Sequence, residues 1–272
     1  MLRDLKFLVK YMTTALITGA SAGIGAAFAR ELAARRTNLV LVARSQAKLE
    51  QLATQLQAQY QVQVEIIPQD LTAPQAALTV FNTINSKGVT IDLLINNAGF
   101  GEYGDFIELD RETQLNMIQL NILTLVDLTH LFLSQMRQRG SGNIINMSSV
   151  AAFQSMPYFS VYAATKSFIL SFSEALWAEN RKYGVRVIAV CPGPTDTNFF
   201  KDAEFPPILV NIAEKNYTST KAVVCEALAA LEKEHPVIVP GDLRNQFLAN
   251  IPRFLPREAI TSFWKTVLGS RK

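Results

Sequence analysis

Tyr162 and Lys166 stand four residues apart in a helix-like run, so a phenol and an ammonium share one helix face. Ser149 lies thirteen residues before the tyrosine. Near the other end of the chain, Thr18-Gly19-Ala20-Ser21-Ala22-Gly23-Ile24-Gly25 follows a short apolar run and opens an alanine-rich one. A phenol ordinarily ionises at about pH 10, and a nearby ammonium lowers that value. A phenol tuned in this way can give a proton to an oxygen or take one from it. Ser149 can hydrogen-bond the same oxygen and stabilise its developing charge. In the glycine turn, Gly19 permits the tight bend, while Gly23 and Gly25 let backbone approach a pyrophosphate and helix approach sheet. The helix that begins there offers free N–H groups to phosphates. This combination describes hydride and proton transfer between a nicotinamide cofactor and a carbonyl or alcohol.

The elements that must position these groups alternate along the chain. Strand-like runs cover 14–18, 38–43, 62–67, 91–95, 143–147, 185–190 and 237–239. Helix-like runs cover 24–35, 46–59, 74–86, 111–138, 161–182 and 221–234, with leucines at 49, 52 and 56 in helical spacing. Continuous apolar strands such as Asn-Leu-Val-Leu-Val-Ala at 38–43 suit a sheet covered on both faces. Repeated β-α-β units with short connections predict an α/β fold with a doubly wound parallel sheet. No Gly-, Ser- or Pro-rich linker divides the 272 residues, so one domain is expected over 1–272, with its core at about 13–239. The stretch 192–218 reads as a long irregular loop, and 195–217 is expected to act as a lid.

The strand at 38–43 ends at Ala43-Arg44-Ser45. Folds that bind the unphosphorylated dinucleotide usually place an acidic residue here, on the ribose 2′-OH. Arg44 stands there instead and suits a 2′-phosphate, with Ser21, Ser45 and Lys48 as further donors. The cofactor expected is therefore NADP(H).

With these residues in order, the chain resembles the short-chain dehydrogenase/reductase family over about 13–239. The resemblance rests on Thr18-Gly19-x-x-x-Gly23-x-Gly25, Asp70, Asn96-Asn97-Ala98-Gly99, Asn121, Ser149, Tyr162, Lys166 and Pro192-Gly193. It implies a single Rossmann-type domain of about seven parallel strands with helices on both faces. It implies a catalytic set of Asn121, Ser149, Tyr162 and Lys166, with Asn121 in a water-linked proton relay to Lys166. It also implies that Lys166 holds the nicotinamide ribose and that Asp70 and Leu71 meet the adenine. Asn97, Ala98 and Gly99 would support the cofactor's centre. Pro192 and Gly193 would line the nicotinamide, and Thr195 or Thr197 would hold its carboxamide or the phosphates. The family often pairs its long helices across a dimer axis, so a homodimer or homotetramer is expected.

The segment 151–158 and the lid bring Phe153, Met156, Tyr158, Phe199, Phe200 and Phe205 toward the site. They predict a medium-sized, fairly hydrophobic ketone, aldehyde or alcohol as substrate. Residues 242–272 form an extra tail, read as one or two short helices packed on the body, with a second subunit or a membrane surface as other partners. The net charge of +3 carries no basic stripe, which argues against nucleic acid. Cys191, Cys225, His130 and His235 are isolated, so no metal is expected. Residues 1–10 have no long apolar core or cleavage site, and no stretch of ~18 apolar residues stands out. A cytoplasmic protein without a membrane partner is the expectation. A non-catalytic NADP(H)-sensing protein is the alternative.

Overall fold

The computed structural model of the chain describes residues 14–269. The first ten residues, where a leader was not expected, lie outside that range. Seven parallel strands form one sheet in the order β3-β2-β1-β4-β5-β6-β7. They are β1 Thr14–Thr18, β2 Asn38–Ala43, β3 Val64–Pro68, β4 Leu93–Asn96, β5 Gly142–Met147, β6 Val185–Val190 and β7 Val237–Ile238. The order reverses between β1 and β4, which pair directly through Ala15–Leu93, Leu16–Leu94 and Ile17–Ile95. Connections leave in opposite directions on either side of this pair, so a crevice opens beyond its carboxyl ends.

Helices cover both faces, which explains why β1 is buried along its whole length. On one face α1 (Gly23–Ala34), α2 (Gln46–Tyr60) and the later helix Thr220–Glu232 pack Phe28, Leu32, Leu49, Val223 and Leu228 against Ile17, Leu41 and Ile188. On the other, α3 (Ala76–Ser86) and the run Arg111–Arg139 pack Val80, Ile84, Leu128, Phe132 and Met136 against Leu16, Val40 and Val187. Burial of side chains of this size contributes ~1.5–3 kcal/mol each.

The run predicted as one helix over 111–138 is not uniform. It is α4 (Arg111–Ile118), one π-helical stretch (Gln119–Thr124) and α5 (Leu125–Arg139). Asp110 starts α4 by accepting from the Thr113 N–H at 2.7 Å. The π stretch widens the helix where Asn121 points back at the chain around Phe100, and periodicity in sequence cannot register that widening. This run is apolar and long enough to cross a membrane by length and composition, contrary to the expectation from sequence. One side of it, with Leu128, Phe132 and Met136, nevertheless packs in the core.

The stretch expected to be irregular contains two short helices, α7 (Phe199–Asp202) and α8 (Pro207–Glu214). α6 (Ser160–Asn180) carries Tyr162 and Lys166, and α9 is Thr220–Glu232. The tail forms α10 (Leu243–Asn250) and α11 (Arg257–Gly269), close to expectation, and its last three residues lie outside the described range. α10 starts at Asp242, whose side chain accepts from the Arg244 and Asn245 N–H groups.

A buried amide chain ties the middle of the sheet to two helices on one of its faces, Leu125–Arg139 and Ser160–Asn180. Asn96 Nδ2 donates to Asn146 Oδ1 at 2.9 Å and to Thr129 Oγ1 at 3.0 Å, and Asn146 Nδ2 donates to Ser173 Oγ at 3.0 Å. Asn146→Ala would leave the Asn96 amide without this acceptor in a dry site. A loss of about 1–3 kcal/mol in urea unfolding is expected, and an unchanged unfolding midpoint would contradict this role.

Candidate active site

Gly19 begins the turn after β1 with φ of +64°, in the left-handed region, and a Cβ there would stand 2.9 Å from Asn97 Nδ2. Only glycine meets both demands cheaply. Asn97 in turn donates from Nδ2 to the Thr18 carbonyl at 2.9 Å, fixing the end of β4 against that of β1. Helix α1 opens directly behind the turn. Its N-cap, Ala22, supplies no side-chain acceptor, and its first turn holds no acidic residue. The orphan N–H groups of α1 therefore face outward with their partial positive charge uncompensated by the chain.

The groups expected to carry the chemistry stand across the crevice. Tyr162 and Lys166 are 7% and 5% exposed, one helical turn apart on α6. Lys166 Nζ donates to the Met147 carbonyl at the end of β5, at 2.9 Å. Ser148 and Ser149 divide by strand alternation. The Ser148 hydroxyl donates to the Lys166 carbonyl at 2.8 Å, whereas Ser149 stands by the Tyr162 phenol, whose pKa it lowers. Asn121, 1% exposed, sits behind this pair. Its Nδ2 donates to the Phe100 carbonyl at 3.0 Å and to Thr165 Oγ1 at 3.1 Å, and its Oδ1 accepts from the Phe100 N–H at 3.2 Å. A Cβ on Gly99 would stand 2.8 Å from Asn121 Oδ1 and 3.5 Å from Lys166 Nζ, so both groups border space that only a glycine leaves open.

Electrostatics differ from the simple expectation of a phenol acidified by its lysine. Burial pushes the Tyr162 phenol above its ordinary value, with Ser149 acting in the opposite direction. The stacked Phe159 ring, 4.3 Å away, and Phe199 at 5.3 Å supply much of that dry surface. Burial also pushes the Lys166 ammonium down from 10.5 to about 8. Its Nζ is 5.5 Å from the centre of the Tyr162 ring. In the protein alone, desolvation outweighs the mutual attraction of phenolate and ammonium.

These groups border a cavity of about 1050 Å³. Gly19, Gly23, Ile24, Asn97, Ala98 and Gly99 form one end. Ser149, Tyr162 and Lys166 lie in the middle, with Pro192, Gly193, Thr195 and Thr197 beside them. Gly25 lies against Gly19 behind that wall, and Ser21 beside the turn is partly exposed. Arg44 and Asp70 stand together beyond β2 and β3 at the surface, where Gln69 N–H donates to the Ala43 carbonyl. Asp70 Oδ1 accepts from the Thr72 N–H and hydroxyl. These bonds hold its carboxyl below the usual range, and the Arg44 charge adds to them. Leu71 is turned into the core.

The far wall is apolar but differs from the expected set. Met156, Phe199, Phe200 and Phe205 line the cavity; Phe153 and Tyr158 do not. Tyr158 packs instead beside Tyr103, with ring centres 6.1 Å apart. Trp264, Val267 and Leu268 of α11 complete the wall, and Asn245 of α10 lies against Gly193. Sequence reading missed these tail residues, although the tail's apolar spacing was a signal that it packs somewhere. The segment expected as a lid is tied together at its base, where Thr195 pairs with Thr218 and the Thr218 N–H donates to the Pro194 carbonyl at 2.9 Å. Tyr103 fastens both covers. Its N–H donates to the Ala203 carbonyl at 2.9 Å, and its hydroxyl donates to the Leu268 carbonyl at 2.6 Å. Among the described residues no cluster could hold a metal ion.

A family model described as short chain dehydrogenase matches residues 13–205. A very-long-chain 3-oxoacyl-CoA reductase of Anas platyrhynchos is 36% identical over 185 residues, 65% of this chain and 58% of that protein. The chain thus spans less than two thirds of the length of the curated relatives it first matches. Among solved structures, a short-chain dehydrogenase from Sphingobium yanoikuyae in complex with NADPH is 31% identical with a TM-score of 0.79. That alignment covers 95% of this chain and 96% of the other. A 7beta-hydroxysteroid dehydrogenase is 26% identical with a TM-score of 0.83, covering 92% and 96%.

The lowered pKa of Lys166 has a consequence for stability. The folded protein releases this proton at about pH 8 and the unfolded chain near 10.5. The unfolded state binds more protons between these values, so the contribution of Lys166 to stability rises with pH across that window. Lys166→Met should remove this contribution, so between pH 8 and 10 the variant's stability in urea should fall relative to that of the parent, whatever the opposing slope of the raised Cys191 thiol that both share. Parallel pH profiles for the two proteins would contradict a depressed Lys166.

Proposed function

As the chain belongs to the short-chain dehydrogenase family, we propose that it is an NADP(H)-dependent oxidoreductase that interconverts a carbonyl and an alcohol. The observation that carries this reading is the Ser149–Tyr162–Lys166 group facing an uncapped helix N-terminus across one cavity. The residues fit a dinucleotide: the left-handed turn at Gly19 and the bare start of α1 suit a pyrophosphate. Arg44, exposed at the end of β2, suits a 2′-phosphate. Lys166 would hold ribose hydroxyls, and Pro192, Gly193 and Thr195 would border the nicotinamide. When bound, NADPH supplies the hydride. NADPH is named in the complex of the Sphingobium relative, which agrees with this choice.

Tyr162 serves as general acid in reduction and as base in oxidation. Its raised pKa keeps the phenol protonated near neutrality, which suits proton donation to a carbonyl oxygen that is gaining charge. Ser149 donates a hydrogen bond to that same oxygen and stabilises it. Lys166 supplies positive charge beneath the phenol. Asn121, beside Lys166 and in the π stretch, positions the Lys166 end of the proton path through its bonds to Phe100 and Thr165. Phe159 and Phe199 keep water from the ring.

The apolar wall of Met156, Phe205, Leu209, Trp264 and Leu268 favours a bulky hydrophobic ketone or aldehyde. The long-chain oxoacyl and hydroxysteroid relatives, whose names carry such groups, agree with that choice. A homodimer is in keeping with Leu115, Leu123 and Phe168, exposed on α4, the π stretch and α6.

Tyr162→Phe should lower kcat by ~10²–10⁴ while the Kd for NADPH stays within about twofold. A near-normal rate would refute the assigned role. Arg44→Asp should shift the NADPH-to-NADH affinity ratio about tenfold or more toward NADH. An unchanged ratio would remove Arg44 from the 2′-phosphate site.

A further inference from the structure

The tail holds more exposed apolar surface than packing on the body explains. On α10, Leu243 is 80% and Phe247 66% exposed, four residues apart on one stripe. The opposite side of the same helix buries Asn245 and Ala249. Phe254 is 83% exposed in the connection to α11, followed by Leu255 at 50%. On α11, Ile260 and Leu268 are buried against the body, but Phe263 is 56% exposed. Single exposed apolar residues are ordinary, but five large ones within 21 residues are an apolar concentration that one surface segment of a soluble protein rarely shows.

Two further observations identify what this patch meets. The first is charge. Residues 242–272 hold six basic residues (Arg244, Arg253, Arg257, Lys265, Arg271, Lys272) against Asp242 and Glu258, so the tail alone accounts for the whole positive balance of the chain. Arg244, Arg257 and Lys265 are exposed on the two helices that carry the patch. Phenylalanine and leucine on one side with lysine and arginine beside them are what an interfacial helix needs on an anionic bilayer. The second is continuity with the cavity. Ile212 of α8 and Val267 of α11 line the cavity and are also 48% and 38% exposed, so its mouth opens between these helices with an apolar rim. Arg244 borders both this cavity and the shallow groove formed by Leu243 and Phe247. Arg244 thus joins the lining of the cavity to the apolar stripe of α10.

We propose that α10 and α11 form a docking surface for an anionic lipid bilayer, with the cavity mouth opening onto it. A membrane was the less favoured partner from sequence; the exposure of these side chains reverses that order. In this arrangement an apolar carbonyl substrate enters from the lipid past Ile212 and Val267 without crossing water. That last step rests on the proposed reductase activity, whereas docking itself does not.

The test is cosedimentation of the full chain with vesicles of phosphatidylcholine alone and of phosphatidylcholine mixed with phosphatidylserine. Binding to the mixed vesicles, weakened by salt, is expected. Phe247→Ser with Phe254→Ser should weaken it about tenfold or more, and Arg257→Glu with Lys265→Glu should weaken it comparably. Circular dichroism melting curves of both variants should match that of the parent, because the altered side chains are exposed. No sedimentation with either vesicle would overturn the proposal. Equal binding to both vesicle types would overturn its electrostatic basis. A vesicle-inert dimer that the Phe247/Phe254 variant dissociates would assign the patch to a second copy of the chain. Failure of turnover with every ketone, with vesicle binding intact, would count against the reductase reading alone.

Discussion

The arrangement depends on one buried amine. Lys166 reaches the Met147 carbonyl at the end of β5, in surroundings dry enough to pull its pKa to about 8. An ammonium is costly to bury unless its donors are satisfied. Several features serve that requirement. The strand ends at Met147 present a carbonyl, and Gly99 leaves the space that Asn121 Oδ1 and Lys166 Nζ border. Ser148 anchors the Lys166 backbone, which leaves Ser149 for the phenol. The same burial that weakens the ammonium raises Tyr162, which keeps the phenol protonated in the protein alone, as the proposed donor role requires.

The covers follow the same logic. A phenol that must stay dry needs a roof, and the roof comes from two distant parts of the chain. The segment of α7 and α8 brings Phe199, Phe200 and, between the two helices, Phe205, while α11 brings Trp264 and Leu268. Tyr103 touches both through its N–H and its hydroxyl, and the Thr195–Thr218 pairing closes the base of the first. α10 reaches the floor through Asn245, which donates to the Pro240 carbonyl at 3.2 Å and lies against Gly193. The tail is therefore part of the cavity wall as well as an outer surface.

The strands were legible because a sheet covered on both faces writes itself as unbroken apolar runs, as at 38–43. The Tyr162–Lys166 pair and the glycine turn were legible because their chemistry fixes both residue type and spacing. The π stretch at Asn121 was not, since an added residue per turn leaves no mark in an already apolar helix. The helices inside the expected lid were hidden by Pro206 and Pro207, which read as breakers although Pro207 opens α8. Trp264 and Leu268 could be read as apolar tail residues, but their place on the cavity wall depends on a long-range fold that no local pattern encodes. The direction of the Tyr162 shift was also out of reach, because it is set by Phe159, Phe199 and the depth of burial.

The central claim is that burial, which outweighs the charge of Lys166, holds Tyr162 protonated in the protein alone, and that the cationic nicotinamide ring of bound NADP⁺ would favour the phenolate. The most direct measurement is a ¹³C NMR titration of ring-labelled tyrosine, with the Tyr162 signal assigned from Tyr162→Phe, in the protein alone and with NADP⁺ added. The account predicts no ionisation of Tyr162 below its ordinary value of 10.0 in the protein alone, and a clear downward shift with NADP⁺. Ionisation well below that value in the protein alone, unmoved by NADP⁺, would contradict it.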